Sequence, residues 1–329
     1  MEDFNKIPDS DSIENKLNDK ILFDNLDISV IIDFFRYMSR QGPGSEEITR
    51  SALSFIEWPA DFEAAGSGQK SSTAQLRIAD MGCGTGGQSI TLALNTSAHI
   101  TSYDNSKEMI ETLQQRVSEL GLQERIEGVV ASMDNIPFDG REFDVIWAEG
   151  SIYNIGFERG LNLWREYLKD GGYVAVSDMV WLRENRPDKI EKYLNENVPE
   201  METPSFKLRQ IEEAGYIPVA SFVLPHDCWI DSYFRPMTAL FDDFLQRHGH
   251  SEMAINFVKS MSEERDMYQK YSEYYGYMFF VAKKICSNSI INSGDAGGST
   301  SGVINSSTSC INSGDPGGST SGSTNNSNN

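Results

Sequence analysis

The sequence predicts an α/β fold built on a mostly parallel sheet with helices on both faces. Three observations carry this. From Leu76 onward, short apolar runs alternate with amphipathic segments of helical spacing, the pattern of strand–helix–strand units. The first apolar run, Leu76–Met81, leads directly into Gly82, Gly84, Gly86 and Gly87 and then into the helical run Gln88–Leu94. The last apolar runs, Ile217–Leu224 and Tyr277–Lys283, close the sheet across a long helical stretch.

Residues 1–26 are polar and acidic, and read as a loosely held arm. Leu26–Met38 places Leu26, Val30, Ile31, Phe34, Phe35 and Met38 on one helical face, and Gly42, Pro43 and Gly44 stop that helix. Ser45 caps the next helix, with Glu46 and Glu47 in its first turn, and this helix ends near Trp58 and Pro59. The loop Arg40–Ser45 between them reads either as a plain turn or as a lid over the glycine cluster. Residues 63–73 form a flexible connection.

His99–Asp104 is the second strand, and Lys107–Leu120 is an amphipathic helix stopped by Gly121. Ile126–Ala131 and Phe143–Ala148 are strands three and four. A helix over 156–168 stops at Asp170, Gly171 and Gly172, before a fifth strand over Tyr173–Ser177. Helices over 187–196 and 205–214 precede the strand Ile217–Leu224. Residues 225–276 far exceed the roughly 2–5 residues of a hairpin. They read as a helical insertion covering a substrate, with helical patterns over 237–247 and 252–275; most of its aromatics read as packing. From Ser287 the chain is Ser, Asn, Gly and Thr, with 291–302 repeated as 311–322, a disordered tail in prospect. The expected organisation is therefore an arm (1–26), one folded domain (27–286) and a tail (287–329).

The chain has 329 residues and a formal net charge of −21. That charge disfavours nucleic acid and anionic membrane surfaces. The four cysteines are scattered and show no metal-ligand spacing, so no metal site is expected. No apolar run reaches membrane length, and the first residues lack the pattern of a secretion signal. A cytoplasmic setting is the expectation.

A strand, a glycine turn and a helix make a cradle for a polar or anionic ligand. Gly82, Gly84 and Gly87 fit a dinucleotide fingerprint, while Gly82, Gly84 and Gly86 behind Asp80 fit S-adenosylmethionine (SAM). Asp104, at the end of the second strand, suits the ribose of either. Asp80 favours SAM, because a carboxylate there attracts an ammonium and repels a pyrophosphate. Asp134 can accept from an adenine amine, with Met133 against the ring.

Asp80–Gly86, Asp104, Met133 with Asp134, Phe143–Trp147 and Gly171–Val176 resemble the successive motifs of class I SAM-dependent methyltransferases. The resemblance runs from about Ile28 to Lys284. Arg40–Ser45, Gly150–Arg159 and the region of Tyr274 are also similar to a bacterial and archaeal type 11/25-like subgroup. The resemblance implies a Rossmann-like, seven-stranded, mostly parallel sheet whose antiparallel last strand lies beside the fifth. An N-terminal helical cap and a helical insertion between the last two strands complete that expectation. It implies SAM as cofactor and a cofactor-binding set of Gln41, Asp80, Gly82, Gly84, Gly86, Asp104, Asn105, Met133, Asp134 and Glu149. It also implies a small-molecule methyl acceptor, and a homodimer is compatible with it.

Glu149, after strand four, is the candidate base or acceptor-orienting group, or else a structural carboxylate. Tyr153 is a candidate pocket residue and His226 a further candidate base. The absence of an Asn/Asp-Pro-Pro-Tyr/Phe stretch argues against methylation of nucleobases and glutamine. An NAD(P)-dependent oxidoreductase and a catalytically inactive SAM-binding protein stay open as alternatives.

Overall fold

A computed structural model describes residues 28–58, 75–137, 140–198 and 200–286. The expected arm, the 63–73 connection and the low-complexity tail lie outside the described residues.

Two helices, α1 (Ile28–Phe35) and α2 (Glu46–Leu53), precede the sheet. Ser45 caps α2, its side chain accepting from Ile48 N, as its position before two glutamates predicts. The sheet units follow: β1 (Arg77–Met81), α3 (Gly87–Asn95), β2 (His99–Asp104), α4 (Lys107–Glu119), β3 (Ile126–Val130) and β4 (Phe143–Glu149). After a short 3₁₀ turn (Ile152–Asn154) come α5 (Phe157–Arg165), β5 (Leu168–Trp181), α6 (Asp188–Asn197), α7 (Pro204–Glu213) and β6 (Tyr216–Val223). The insertion contains α8 (His226–Trp229), a π turn (Ile230–Phe234), α9 (Arg235–Ala239), α10 (Phe241–Arg247) and α11 (Glu252–Tyr271), and β7 (Tyr275–Lys284) ends the domain.

The seven strands lie in the order β3-β2-β1-β4-β5-β7-β6. The β1–β2, β1–β4, β2–β3 and β4–β5 pairs are parallel, and β7 runs antiparallel to both β5 and β6. Alternation along the strands sends side chains to two cores. Ile78, Val145, Trp147, Ala175 and Phe279 join one; Ala79, Ile146, Ala148, Val174 and Phe280 join the other.

The fifth strand is longer than the sequence suggests. It starts at Leu168, so α5 ends at Arg165 and the two glycines lie inside the strand. A Cβ on Gly172 would come within 3.0 Å of the Asp144 and Lys169 carbonyls, so the glycine belongs to a close backbone approach. At its other end β5 reaches Trp181 because β7 begins at Tyr275 and pairs with it. The start of β7 is thereby brought to the carboxyl end of the parallel strands, where ligands bind in sheets of this kind.

One buried ion pair braces that end. Lys207 Nζ of α7 donates to Asp178 Oδ2 of β5 at 2.7 Å and lies 4.3 Å from the Phe157 ring centre. Lys207 is 1% and Asp178 3% exposed, so loss of the lysine strands a carboxylate in the core. Lys207→Ala is expected to lower unfolding stability by about 3–5 kcal/mol, read by denaturant unfolding. A change of under about 1 kcal/mol would show that water replaces the ammonium.

Candidate functional site

The turn after β1 is forced into shape by its glycines. Gly84 and Gly86 adopt left-handed backbone, with φ of +53° and +81°. A Cβ on Gly84 would run into Gln41 Oε1, and one on Gly86 into Leu113 Cδ1, so neither site admits a side chain. Gly82 N and Cys83 N donate to the Tyr103 carbonyl at 2.8 and 2.9 Å, tying the turn to the end of β2. Gly84 N donates to Asp104 Oδ2 at 2.9 Å. Helix α3 starts from Gly86, which supplies no side-chain cap hydrogen bond to it.

Two carboxylates flank this turn. Asp80 is fully buried and accepts from Ser89 Oγ at 2.5 Å and from Gln88 Nε2 at 3.2 Å. Burial pushes its pKa up to about 7; the two hydrogen bonds and the Arg40 charge pull the other way, and the Glu149 charge adds to the rise. Asp104 also accepts from Ser106 N at 2.9 Å. Burial raises its pKa against the lowering effect of its two backbone bonds.

The Arg40–Ser45 loop is fastened directly onto the turn. Gln41 Nε2 donates to the carbonyls of Phe35 and Met38 and to Thr85 Oγ1, while Gln41 Oε1 accepts from Thr85 N at 3.2 Å. Thr85 Oγ1 donates to the Met38 carbonyl at 2.8 Å. Arg40 Nη1 donates to Glu149 Oε2 at 2.6 Å and Arg40 Nη2 to Thr49 Oγ1 at 3.0 Å. The other oxygen of Glu149 accepts from Thr49 Oγ1 at 2.7 Å and from Trp147 Nε1 at 2.9 Å.

Glu149 thus stands in a network of three donors, Arg40, Thr49 and Trp147. Gln41, Asp80, the three glycines, Asp104 and Glu149 converge at the ends of β1, β2 and β4. Met133 packs beside Gly82, where an added Cβ would meet its Cε at 2.9 Å. Asp134 is held by Ser132 Oγ at 2.5 Å and by Arg159 Nη2 at 3.0 Å. Asn105 is exposed next to Asp104. Tyr153 lies in the 3₁₀ turn after β4. His226 is exposed and stacks on Tyr268, ring centres 5.3 Å apart. Among the described residues no group of His, Cys, Asp and Glu could hold a metal ion.

The glycine turn at the end of β1, the sheet order and the antiparallel β7 occur together, and residues 72–217 match the family described as a methyltransferase domain. The chain has the class I methyltransferase fold. Methyltransferase GfsG of Streptomyces halstedii is 30% identical over 109 residues, 33% of this chain and 39% of that protein. Sarcosine/dimethylglycine N-methyltransferase of Halorhodospira halochloris is 26% identical over 141 residues, 42% of this chain and 50% of that one. The chain therefore aligns with half or less of the length of these relatives. A SAM-dependent methyltransferase from Geobacter sulfurreducens, solved with S-adenosylhomocysteine, superposes with a TM-score of 0.63 at 18% identity, covering 76% of this chain and 96% of that one.

On this methyltransferase fold a second set of residues comes together that the sequence motifs do not mark. The Tyr233 hydroxyl of the π turn reaches Glu264 of α11 at 3.5 Å, and after burial the Glu264 charge is among the causes that raise the phenols of Tyr153, Tyr193, Tyr233, Tyr275 and Tyr277. One signal was available in the sequence. Glu264 falls on the apolar face of α11, in step with buried Phe257, Met261, Tyr268 and Tyr271. Arg40 and Thr49, which complete the Glu149 network, carried no comparable signal.

Asp80 gives a pH signature. A carboxylate whose folded pKa is raised stabilises the fold below its unfolded pKa and loses that contribution as pH climbs towards its folded pKa. Wild-type stability is therefore expected to fall relative to Asp80→Asn between about pH 4 and 7, by up to about 1.4 kcal/mol per pH unit. Denaturant unfolding of both proteins across that range checks it; parallel stability curves would contradict the assignment.

Proposed function

We propose that this chain is a SAM-dependent methyltransferase acting on a small-molecule acceptor. The observation that carries the reading is the left-handed glycine turn closed by the Asp104 carboxylate at the carboxyl end of β2, on a sheet of this order. The residues present fit the cofactor. The start of α3 has no side-chain cap hydrogen bond, and Asp104 accepts only one bond on each oxygen, which leaves it lone pairs for a ligand.

When bound, SAM supplies an activated methyl group, so the protein's task is mainly to position and to exclude water. In this reading Asp104 orients the ribose, and Asp80, once ionised, attracts the ammonium of the methionine moiety. Met133 packs against the adenine, while Asp134 and Asn105 edge that end. Gln41 covers the turn from the N-terminal side. Glu149 positions rather than reacts: it fixes Arg40, and through it the loop over the cradle. His226, exposed and stacked on Tyr268, takes a place at the rim of the insertion.

A small acceptor is supported by the net charge of −21, which repels nucleic acid, and by the small-molecule acceptor in the name of the Halorhodospira relative. Among the described residues no helix is long and apolar enough to cross a membrane. The buried, unpaired thiols of Cys83 and Cys228 fit a reducing, cytoplasmic setting.

Calorimetric titration with SAM, S-adenosylhomocysteine and NADH tests the reading. Saturable binding of the first two and none of NADH is expected; NADH binding without a response to SAM would overturn it. Asp104→Ala is expected to weaken SAM binding by about 1.5–3 kcal/mol, the worth of hydrogen bonds to a charged group. Unchanged affinity would remove the ribose role from Asp104.

A further inference from the structure

We propose that Glu264 and the tyrosines around it form the acceptor subsite of this enzyme, and that it takes a cationic nitrogen, the ammonium of a small amine. The inference rests on the methyltransferase reading and names the acceptor class.

Five segments supply these residues: the 3₁₀ turn after β4 (Tyr153), α6 (Tyr193), the π turn of the insertion (Tyr233), α11 (Glu264) and the start of β7 (Tyr275 and Tyr277), with Tyr233 in direct contact with Glu264. The subsite adjoins the glycine turn through a short chain of contacts. Ser151 Oγ donates to the Met81 carbonyl at 2.6 Å, and a Cβ on Gly150 would lie 3.5 Å from the Tyr277 hydroxyl. It therefore stands at the carboxyl end of the sheet, beside the cradle.

The charge pattern selects the ligand. The other carboxylates at this end of the sheet have strong donors: Asp178 has Lys207, Glu149 has Arg40, and Asp80 and Asp104 have two hydrogen bonds each. Glu264 has only the Tyr233 hydroxyl, at a long 3.5 Å, and no cationic partner among the described residues. Burial raises its pKa to about 7. A partly buried carboxylate without a cation carries a desolvation cost, and a ligand cation offsets it.

The charges acting on the surrounding phenols come from Glu264, Asp178, Glu263 and neighbouring tyrosines, all of them negative or neutral. Burial keeps the phenols protonated, so they offer ring faces and hydroxyl oxygens to a cation instead of competing charge. The Tyr193 hydroxyl is buried without a hydrogen-bond partner, a further polar group open to a ligand. An anionic acceptor would meet repulsion from Glu264, and no uncommitted cation among these residues would offset it.

The chemistry balances. The ammonium N–H proton passes to the Glu264 carboxylate, leaving a neutral amine with a free electron pair. That pair forms the N–C bond to the sulfonium methyl as the C–S bond breaks, and the bond's electrons stay on sulfur as a thioether. The proton leaves Glu264 to solvent after product release.

The test is equilibrium binding of choline and of its neutral isostere 3,3-dimethylbutan-1-ol to the full chain saturated with S-adenosylhomocysteine. Choline is expected to bind at least about tenfold more tightly, as a charge-assisted contact in a buried site requires. Glu264→Gln is expected to bring the two ligands within about threefold of each other with S-adenosylhomocysteine affinity unchanged. Equal binding of the two ligands to the wild type, no binding of choline, or a preference that survives in Glu264→Gln would each overturn the proposal. The wild-type comparison decides even if the variant does not fold. A failure of the cofactor reading is distinct, because it appears as absent S-adenosylhomocysteine binding, and the same two ligands can then be titrated without it.

Discussion

The structure depends on a backbone constraint at one turn. Between β1 and α3 the chain must reverse within a few residues while lying against Gln41, Leu113 and Ser151. Only residues without a Cβ can do both, and left-handed glycines supply that conformation. The consequences spread from there. The turn fixes where α3 starts, it presents Gly84 N to Asp104, and it gives Gln41 a flat surface to cover. A side chain at Gly84 or Gly86 would displace one of these neighbours, whatever its polarity.

A buried ion pair carries the same constraint to the cap and to β4. Arg40 and Glu149 are 10% and 6% exposed at their side chains and 2.6 Å apart. In such surroundings a pair is worth keeping only if its remaining donors and acceptors are satisfied. Thr49 and Trp147 do this for Glu149, and the Thr49 N–H in turn donates to the Ser45 carbonyl that opens α2. The N-terminal cap is thereby fastened to the strand end facing the cradle. The pair also reaches Asp80, whose pKa it moves in opposite directions through its two members.

Much of this was legible in the sequence, and the reason is periodicity and glycine. Ile78 and Ala79 in β1, or Trp147 and Ala148 in β4, point to opposite cores as strand alternation predicts, and Gly82 to Gly87 mark their turn by residue type alone. The position of β7 between β5 and β6 came from resemblance, because periodicity carries no strand order. The start of β5 was misread, since Gly171 and Gly172 look like a loop until the approach of the Asp144 carbonyl is seen. Glu149, read as a base, an acceptor-orienting group or a structural carboxylate, takes two of its donors from residues about a hundred positions away in sequence, beyond any local pattern. Glu264 was marked only by its place on the apolar face of α11, while the tyrosines grouped with it come from four other segments.

The central claim is that the glycine turn holds the cofactor with its ribose at Asp104. The most direct measurement is a crystal structure of the chain grown with S-adenosylhomocysteine. The account predicts density along Gly82–Gly86, ribose hydroxyls within hydrogen-bonding distance of Asp104, and sulfur directed toward the face that bears Tyr153 and Glu264. Density elsewhere on the sheet, or a ribose remote from Asp104, would contradict it.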